Sequence, residues 1–255
     1  MIKVLMNGCN GKMGQVITKL VKEYDDICIT AGVTRDPSKR QNSYPVFRNF
    51  KEVAAVEADV VLDFSNPEAL PDVVEYCVKH QIALVVGTTG LSENNQEMLR
   101  QASASIPVFV SANMSFGVTV LMDLALKAAS ALGPEYDIEI LEKHHNEKKD
   151  APSGTAIMIG KELKNQINNS FELIYDRSKI KEKRKSNEIG ISSIRGGTIA
   201  GDHTIFFAGK DEIIEIRHTS LSRDILGRGT IRAARYTVLK PNGLYNMKNM
   251  LEDSI

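Results

Sequence analysis

The run IKVLMNGCNGKMGQVITKLV, residues 2–21, decides the fold. Ile2–Met6 is an apolar run of strand length, and Gly8-Cys-Asn-Gly11-Lys-Met-Gly14 follows it closely. Met13, Val16, Ile17, Leu20 and Val21 then recur at helical spacing. Strand, glycine turn and helix in this order make the entry to a dinucleotide-binding βαβ unit. The glycines let the backbone turn tightly and approach a pyrophosphate, whose charge sits at the helix N-terminus. Glycine spacing alone is a weak signal. It gains weight here because the third glycine lies inside a helical pattern that begins where it should. Gly8, Cys9, Asn10, Gly11, Lys12, Met13 and Gly14 are therefore cofactor-binding candidates.

Working outward, Cys28–Val33 reads as the second strand, whose end selects the cofactor. An acid there bonds a ribose 2′-hydroxyl, and an arginine accommodates a 2′-phosphate. The strand-end position carries Thr34, with Arg35 next, which leans toward the phosphorylated cofactor. Asp36 is within reach of the ribose in the alternative, so the preference stays open. Ala58–Phe64 and Ile82–Val86 are further strands, separated by a helix from about Pro67 to Lys79, and Val108–Val110 follows another helix. This alternation predicts a parallel sheet covered on both faces, with ligands outside the carboxyl ends of the strands. Gly87-Thr88-Thr89-Gly90 and Ser111-Ala112-Asn113-Met114 sit at such ends. Each reads equally well as a ligand loop or as an ordinary turn.

Gly117–Leu132 is apolar on most of its circumference and reads as a buried helix; beyond it the pattern changes. Tyr136–Leu141, Ile189–Ile194, a stretch within Thr198–Ala208 and Ile213–Thr219 read as four strands, with one helix from about Ser153 to Ile167. An open sheet with one covering helix leaves a face short of cover, which predicts an oligomer built through this second domain. The segment from Ile225 to Leu239 returns as a helix to the first domain. The expected organisation is α/β. A Rossmann-like parallel-sheet nucleotide domain spans 1–113 and 222–255, and a smaller α+β domain with an open mixed sheet spans 114–221.

In the second domain, Glu142–Ala156, EKHHNEKKDAPSGTA, places His144 and His145 beside Lys148 and a helix start. Pro152 suits a first helical turn, and Asp150 or Ser153 can cap the free amides. Such a helix N-terminus beside Lys148 and two imidazoles suits a small anion, and a neighbouring histidine can move protons. Taken alone, the pair also reads as solvated loop residues. Adjacent histidines rarely point the same way, so no metal site is expected. His80, His203 and His218 read as structural, packing or surface residues, and Arg223 as either a carboxylate ligand or a hinge contact.

Composition narrows the classes. Lys plus Arg equals Asp plus Glu at 32 each, which gives no sign of nucleic acid or an anionic membrane as partner. The basic run from Arg177 to Lys185 lacks interleaved aromatics and reads as a mobile solvated loop. Three scattered cysteines and an N-terminus without a charged leader suit a soluble cytoplasmic protein. Apolar runs such as Ile82–Val86 are of strand length, short of a membrane span.

Gly8-x-x-Gly11-x-Met13-Gly14, Gly87-Thr-Thr-Gly90, His144-His145-x-x-Lys148-x-Asp150-Ala-Pro-Ser-Gly-Thr155, Arg195-Gly-Gly, Gly201-Asp-His203-Thr and Ser222-Arg223 occur in this order at suitable separations. Together they resemble the dihydrodipicolinate reductase family of lysine and diaminopimelate biosynthesis over essentially the whole chain. The histidine-to-threonine motif is highly specific, whereas the glycine turn is generic. The resemblance implies a reductase using NADPH or NADH on a cyclic, unsaturated dicarboxylate, assembled as a homotetramer. It also implies that His144 donates the proton, with Lys148 part of the catalytic site. His145 and Lys148 contact the substrate, and Ser153, Gly154 and Thr155 hold one of its carboxylates. Gly8–Gly14 cradles the pyrophosphate, Thr34 and Arg35 face the adenosine ribose, and Gly87, Thr88, Thr89 and Ser111–Met114 line the nicotinamide side. Cys9 stands where a small residue is usual. Two domains joined at Met114–Gly117 and near Ser222–Arg223 imply closure over the substrate. Other readings are a pyridine-nucleotide dehydrogenase acting on another small imine and a catalytically silent nucleotide sensor. A sensor has no need of both His144 and Lys148.

Overall fold

The computed structural model describes residues 1–53, 56–168 and 170–254, which fall into two compact units, 1–116 with 224–254 and 117–223. Positions 54, 55, 169 and 255 lie outside the described residues.

Unit 1 is built on a seven-stranded, wholly parallel sheet. Its strands are β1 (Ile2–Asn7), β2 (Ile27–Val33), β3 (Val46–Phe47), β4 (Val60–Asp63), β5 (Ala83–Val86), β6 (Pro107–Val110) and β12 (Gly243–Tyr245). They lie in the order β12-β6-β5-β4-β1-β2-β3, so the chain reverses direction between β1 and β4. Ligands in such sheets bind at that reversal, outside the carboxyl ends. Helices α1 (Lys12–Val21), α6 (Asp224–Thr237) and α7 (Met247–Glu252) cover one face. Helices α2 (Leu70–His80) and α3 (Glu93–Ala102) cover the other. The pleat divides β1 between the two cores. Val4 and Met6 pack with Ile17, Leu20 and Ile231, while Leu5 packs with Val73, Leu84 and Leu99. Strands buried on both faces read as continuous apolar runs, which is why the sequence shows them plainly. The short β3, β12 and α7 carry too little pattern to be read.

Unit 2 holds α4 (Phe116–Leu132, from its second residue), β7 (Asp137–His144), α5 (Gly154–Ile167), β8 (Glu172–Tyr175), β9 (Glu188–Arg195), β10 (Gly201–Ala208) and β11 (Ile213–Ser220). Five strands, one more than expected, form a mixed sheet in the order β11-β10-β7-β9-β8. The added strand, β8, is a four-residue edge, Glu-Leu-Ile-Tyr, too short to show a period and paired in parallel with β9. Its backbone bonds define it, and they leave no periodic signature. Both α4 and α5 cover one face, through Leu121, Ala125, Ala129, Ile159 and Leu163 on Ile138, Ile140, Ile189 and Phe207.

Phe116–Glu135 differs from strand-length runs such as Ile82–Val86. This segment is long and apolar enough to cross a membrane by length and composition, with a mean hydropathy of 1.4. Its buried stripe Leu121, Ala125, Ala129 packs on the sheet of unit 2, and Asp123 pairs with Lys127 at 2.8 Å on another face. A lengthwise charged pair beside a core stripe marks a globular helix. Leu124 on α4 is about half exposed, so the helix is buried along one stripe and not on most of its circumference.

The basic stretch 177–185 is also less free than its composition suggests. Arg184 reaches back to Glu139 Oε1 at 3.1 Å and to the carbonyl of Ile138 at 3.3 Å.

Candidate active site

In unit 1 the glycine turn leaves β1 at the sheet reversal. Gly8 has φ +79°, and a Cβ there would lie 2.3 Å from the Phe64 carbonyl oxygen that follows β4. Only glycine fits between the two loops. A Cβ on Gly14 would lie 2.4 Å from the Gly8 carbonyl, so the third glycine lets α1 start against the turn. The N-cap of α1 is Gly11, which has no side chain to bond the first amides. Those amides therefore suit an anionic ligand. They open on a crevice of about 540 Å³ whose lining includes Gly8, Asn10, Gly11, Thr34, Arg35, Lys39, Arg48 and Ser65.

The structure does not place every candidate on this crevice. Cys9 is fully buried under the turn, where a Cβ on Gly32 would lie 2.7 Å from its Sγ. Met13 packs against the core and Met114 is buried in it. Gly87 packs against the Phe64 ring, 2.3 Å from an added Cβ. Thr88, Thr89 and Ala112 border a second crevice of about 370 Å³. Ser111 Oγ donates to the carbonyl of Asn113 at 2.7 Å and shapes that loop. Beneath the first crevice lies a residue with no periodic signal, Asp63. Fully buried, it accepts from Asn7 Nδ2 at 2.7 Å, Ser65 Oγ at 2.5 Å and Thr88 Oγ1 at 2.7 Å. It thus ties together the loops after β1, β4 and β5. Burial raises its pKa against the pull of these donors.

In unit 2 the site grows from the end of β7. Residues alternate along a strand, so Ile138, Ile140, Glu142 and His144 face the helices. His144 Nδ1 lies 2.5 Å from Glu142 Oε2. Glu142 is wholly buried and receives a two-pronged bond from Arg195 of β9, Nη1 to Oε2 at 2.9 Å and Nη2 to Oε1 at 2.8 Å. Burial would raise the Glu142 pKa, but the Arg195 fork, Ser193 and His144 outweigh it and hold the group at about 2. Glu142 Oε1 also accepts the backbone amide of Ser153 at 3.1 Å, and Arg195 Nη2 donates to the Asp150 carbonyl at 2.6 Å.

The turn before α5 is set by Ser153, not Asp150. Ser153 is the N-cap, and its Oγ accepts from the Ala156 amide at 3.2 Å. Pro152 precedes the cap and so lies outside the first helical turn, where the sequence had placed it. The Ser153 hydroxyl is buried and also meets His203 Nε2 at 3.1 Å. Gly154 and Thr155 begin the helix and are more exposed. The chain around His145 closes on itself, with the Lys148 amide bonded to the His145 carbonyl at 3.2 Å. Lys148 Nζ pairs with Asp150 at 2.9 Å.

His203 was read as a packing residue, and it does pack, but within the site. Its ring stands edge-on to His144 with centroids 5.3 Å apart. Burial, and then the charge of His144, push its pKa down to about 4, so it is neutral near pH 7. Gly201 passes beside the His144 ring, and a Cβ there would be 3.2 Å from Nε2. Arg195 belongs to the Arg195-Gly-Gly motif, which by itself assigns it no role, and Glu142 carries no motif of its own. The alternation Glu142-x-His144 was the one available signal, because residues two apart on a strand share a face. Among the described residues no cluster of three His, Cys, Asp or Glu is placed to hold a metal ion.

A parallel sheet with an uncapped glycine-turn helix in one unit suits a nucleotide-dependent oxidoreductase, and the other unit adds a buried carboxylate–imidazole pair beside a helix start. Comparison with known proteins narrows the class. Residues 2–114 match the model of the dihydrodipicolinate reductase N-terminus, and residues 117–251 that of its C-terminus. The 4-hydroxy-tetrahydrodipicolinate reductase of Clostridium tetani is 45% identical over 98% of this chain and 97% of its own. That of Caldanaerobacter subterraneus subsp. tengcongensis is 46% identical over 99% of each. The chain belongs to the dihydrodipicolinate reductase family. A solved structure of dipicolinate-bound dihydrodipicolinate reductase from Paenisporosarcina sp. TG-14 superposes with a TM-score of 0.81 at 25% identity, covering 98% of this chain and 99% of that one. A DAP dehydrogenase of C. glutamicum shares the fold, with a TM-score of 0.59 at 12% identity over 97% and 93%.

Proposed function

We propose that this chain reduces 4-hydroxy-tetrahydrodipicolinate to tetrahydrodipicolinate in the pathway to diaminopimelate and lysine, with His144 as the proton donor. Family membership carries the reaction, and the buried Glu142–His144 pair carries the role of His144. Bound pyridine nucleotide supplies the hydride. Hydride addition to a carbon conjugated with the ring imine develops enamine character, and a proton must quench it. His144 gives that proton from Nε2 of its imidazolium form; the N–H electron pair stays on the ring, which returns to the neutral form with its remaining proton on Nδ1, toward Glu142. Lys148, His145 and the start of α5 at Gly154 and Thr155 neutralise and orient the substrate carboxylates. The Ser153 hydroxyl, turned to Ala156 and His203, shapes this turn.

The glycine cradle suits a dinucleotide, because a Cβ at Gly8 would fill the space against Phe64. Gly8–Gly14 hold its pyrophosphate, and the loops at Gly87–Thr89 and Ser111–Met114 border the nicotinamide. The adenosine end favours NADPH over NADH. Arg35, Lys39 and Arg48 converge on one crevice. Asp36, the one acid near the strand end, is occupied in capping its own turn, accepting from the Ser38 amide at 3.1 Å and from Ser38 Oγ at 2.5 Å.

The face of the unit 2 sheet that bears Leu141, Ile194 and Phe206 lies opposite α4 and α5, and Ile194 is about half exposed. This face supports a homotetramer built sheet to sheet, in the cytoplasm; a monomeric mass by light scattering rules it out.

The test of function is cofactor oxidation at 340 nm (the absorbance of the reduced nicotinamide) with freshly generated hydroxy-tetrahydrodipicolinate and NADPH or NADH in parallel. Rapid oxidation is expected, faster with NADPH at limiting cofactor. Arg35→Ala is expected to cut the NADPH-to-NADH ratio of kcat/KM by about tenfold, the worth of one exposed charge-assisted contact. Nucleotide binding without oxidation overturns the reductase reading.

A further inference from the structure

The geometry points to Glu142 as a positioning residue: it fixes the tautomer and ring orientation of His144 and locks that ring to the carboxylate-binding turn before α5. The inference rests on His144 as the proton donor and assigns a device behind it.

An ionised carboxylate can only accept hydrogen bonds. At 2.5 Å from Glu142 Oε2, His144 Nδ1 must therefore be the donor, so the neutral ring carries its proton on Nδ1 and presents Nε2 as the exchanging nitrogen. For this constraint to hold, Glu142 must stay ionised while wholly buried. Arg195 secures that with its fork from β9, and the Ser153 amide adds a further donor to Oε1. One carboxylate thus joins three pieces: the His144 ring, strand β9 through Arg195, and the start of α5 through Ser153. Arg195 extends the lock by donating to the Asp150 carbonyl in the same turn.

The other groups facing His144 leave this assignment intact. His203 of β10 meets the ring edge-on and is neutral near pH 7, so it adds no competing charge. Gly201 of β10 contributes only backbone beside Nε2. Lys143 and Asp202 pair with each other at 3.4 Å, and alternation puts Lys143 on the opposite face of β7 from His144. Lys148 is engaged with Asp150.

The informative variant is Glu142→Gln. The Oε1 position receives two donors, Arg195 Nη2 and the Ser153 amide, so the new amide oxygen takes that place and the NH2 takes the place of Oε2, beside His144 Nδ1, where the bond from Arg195 Nη1 is lost. The ring is then forced to the opposite tautomer, with its proton on Nε2. Two readouts apply to the full-length protein. The 15N shifts of the His144 imidazole, at a pH where the ring is neutral, are expected to show protonated Nδ1 in the wild type and protonated Nε2 in Glu142→Gln. Turnover is expected to fall roughly 10- to 100-fold, with KM for cofactor and substrate held within about threefold. Glu142→Asp keeps the charge and is expected to keep the wild-type tautomer and recover part of the turnover. A purely structural Glu142 would instead lower stability and leave the tautomer unchanged. Wild-type protein protonated on Nε2, or Glu142→Gln with undiminished turnover, overturns the proposal. If Glu142→Gln does not fold, the wild-type spectrum alone decides. The spectrum needs no substrate, so failure of wild-type turnover would sink the functional reading and leave this one standing or falling separately.

Discussion

His144→Gln is expected to lower kcat by about 10²- to 10⁴-fold, the range spanned by a positioned general acid. The Kd for NADPH should stay within about twofold, because His144 lies in unit 2 and the glycine cradle in unit 1. Glutamine fills much of the imidazole's space and can still donate a hydrogen bond to Glu142 through its amide NH2, so packing is largely kept. What it lacks is a titratable nitrogen at the Nε2 position. The loss should therefore appear in kcat and in kcat/KM together, as when an interaction made only in the transition state is removed. Stopped-flow single turnovers check this directly, since they separate chemistry from product release. A variant with near-normal kcat removes His144 from the mechanism and shifts attention to Lys148.

Arg195→Met is expected to destabilise the fold by about 3–5 kcal/mol at neutral pH. That is the usual cost of leaving one member of a buried ion pair without its partner. Glu142 has no exposure through which water could replace the lost fork. The effect should depend on pH with a definite sign. Glu142 is held at about 2 in the folded protein, against 4.5 for an ordinary glutamate. A carboxylate lowered in this way contributes stability that is full above its unfolded pKa and is lost as pH falls toward its folded one. The wild-type contribution to this difference should thus be full above about pH 4.5 and be lost between pH 4.5 and 2; in the variant, burial without the fork raises the Glu142 pKa, so the deficit starts to shrink at a pH above that window as the variant's Glu142 takes up a proton and sheds its buried charge. Denaturant midpoints measured at pH 7 and pH 4 test this. A deficit that is small, or independent of pH, would show that Arg195 stabilises through its Asp150 contact or its packing, and not through Glu142. The double variant Arg195→Met with Glu142→Leu should recover much of the loss, because an apolar replacement of both partners leaves no charge to bury.

The sequence by itself determined the elements whose patterns are local and long. The run from Ile2 to Val21 established the dinucleotide unit, because a strand buried on both faces and an amphipathic helix write their periods directly into the chain. The alternation of β7 and the Ser153–Thr155 helix start were equally legible, as was the motif from His144 to Thr155 that places the chain in its family. The sequence also showed Thr34 and Arg35 at the cofactor-selecting strand end.

Tertiary structure alone decided which of the candidates meet. Cys9 and Met114 sit within motif stretches and yet point into the core, since a motif names positions and packing chooses directions. The bond of Asp36 to the Ser38 amide and hydroxyl is likewise invisible in the sequence, where Asp36 stands only as the acid near the strand end. Edge strand β8, Glu-Leu-Ile-Tyr, is defined by backbone bonds to β9, and its four residues are too short a run to mark a strand in the sequence. Above all, Glu142 and Arg195 are 53 residues apart in sequence, and His203 reaches Ser153 across 50. Sheet register alone brings them together: β7 lies between β9 and β10, with His144 opposite Arg195 and Glu142 opposite His203. Burial of a carboxylate is tolerated only where such partners converge, and convergence is a property of the packed sheet, not of any local stretch of chain.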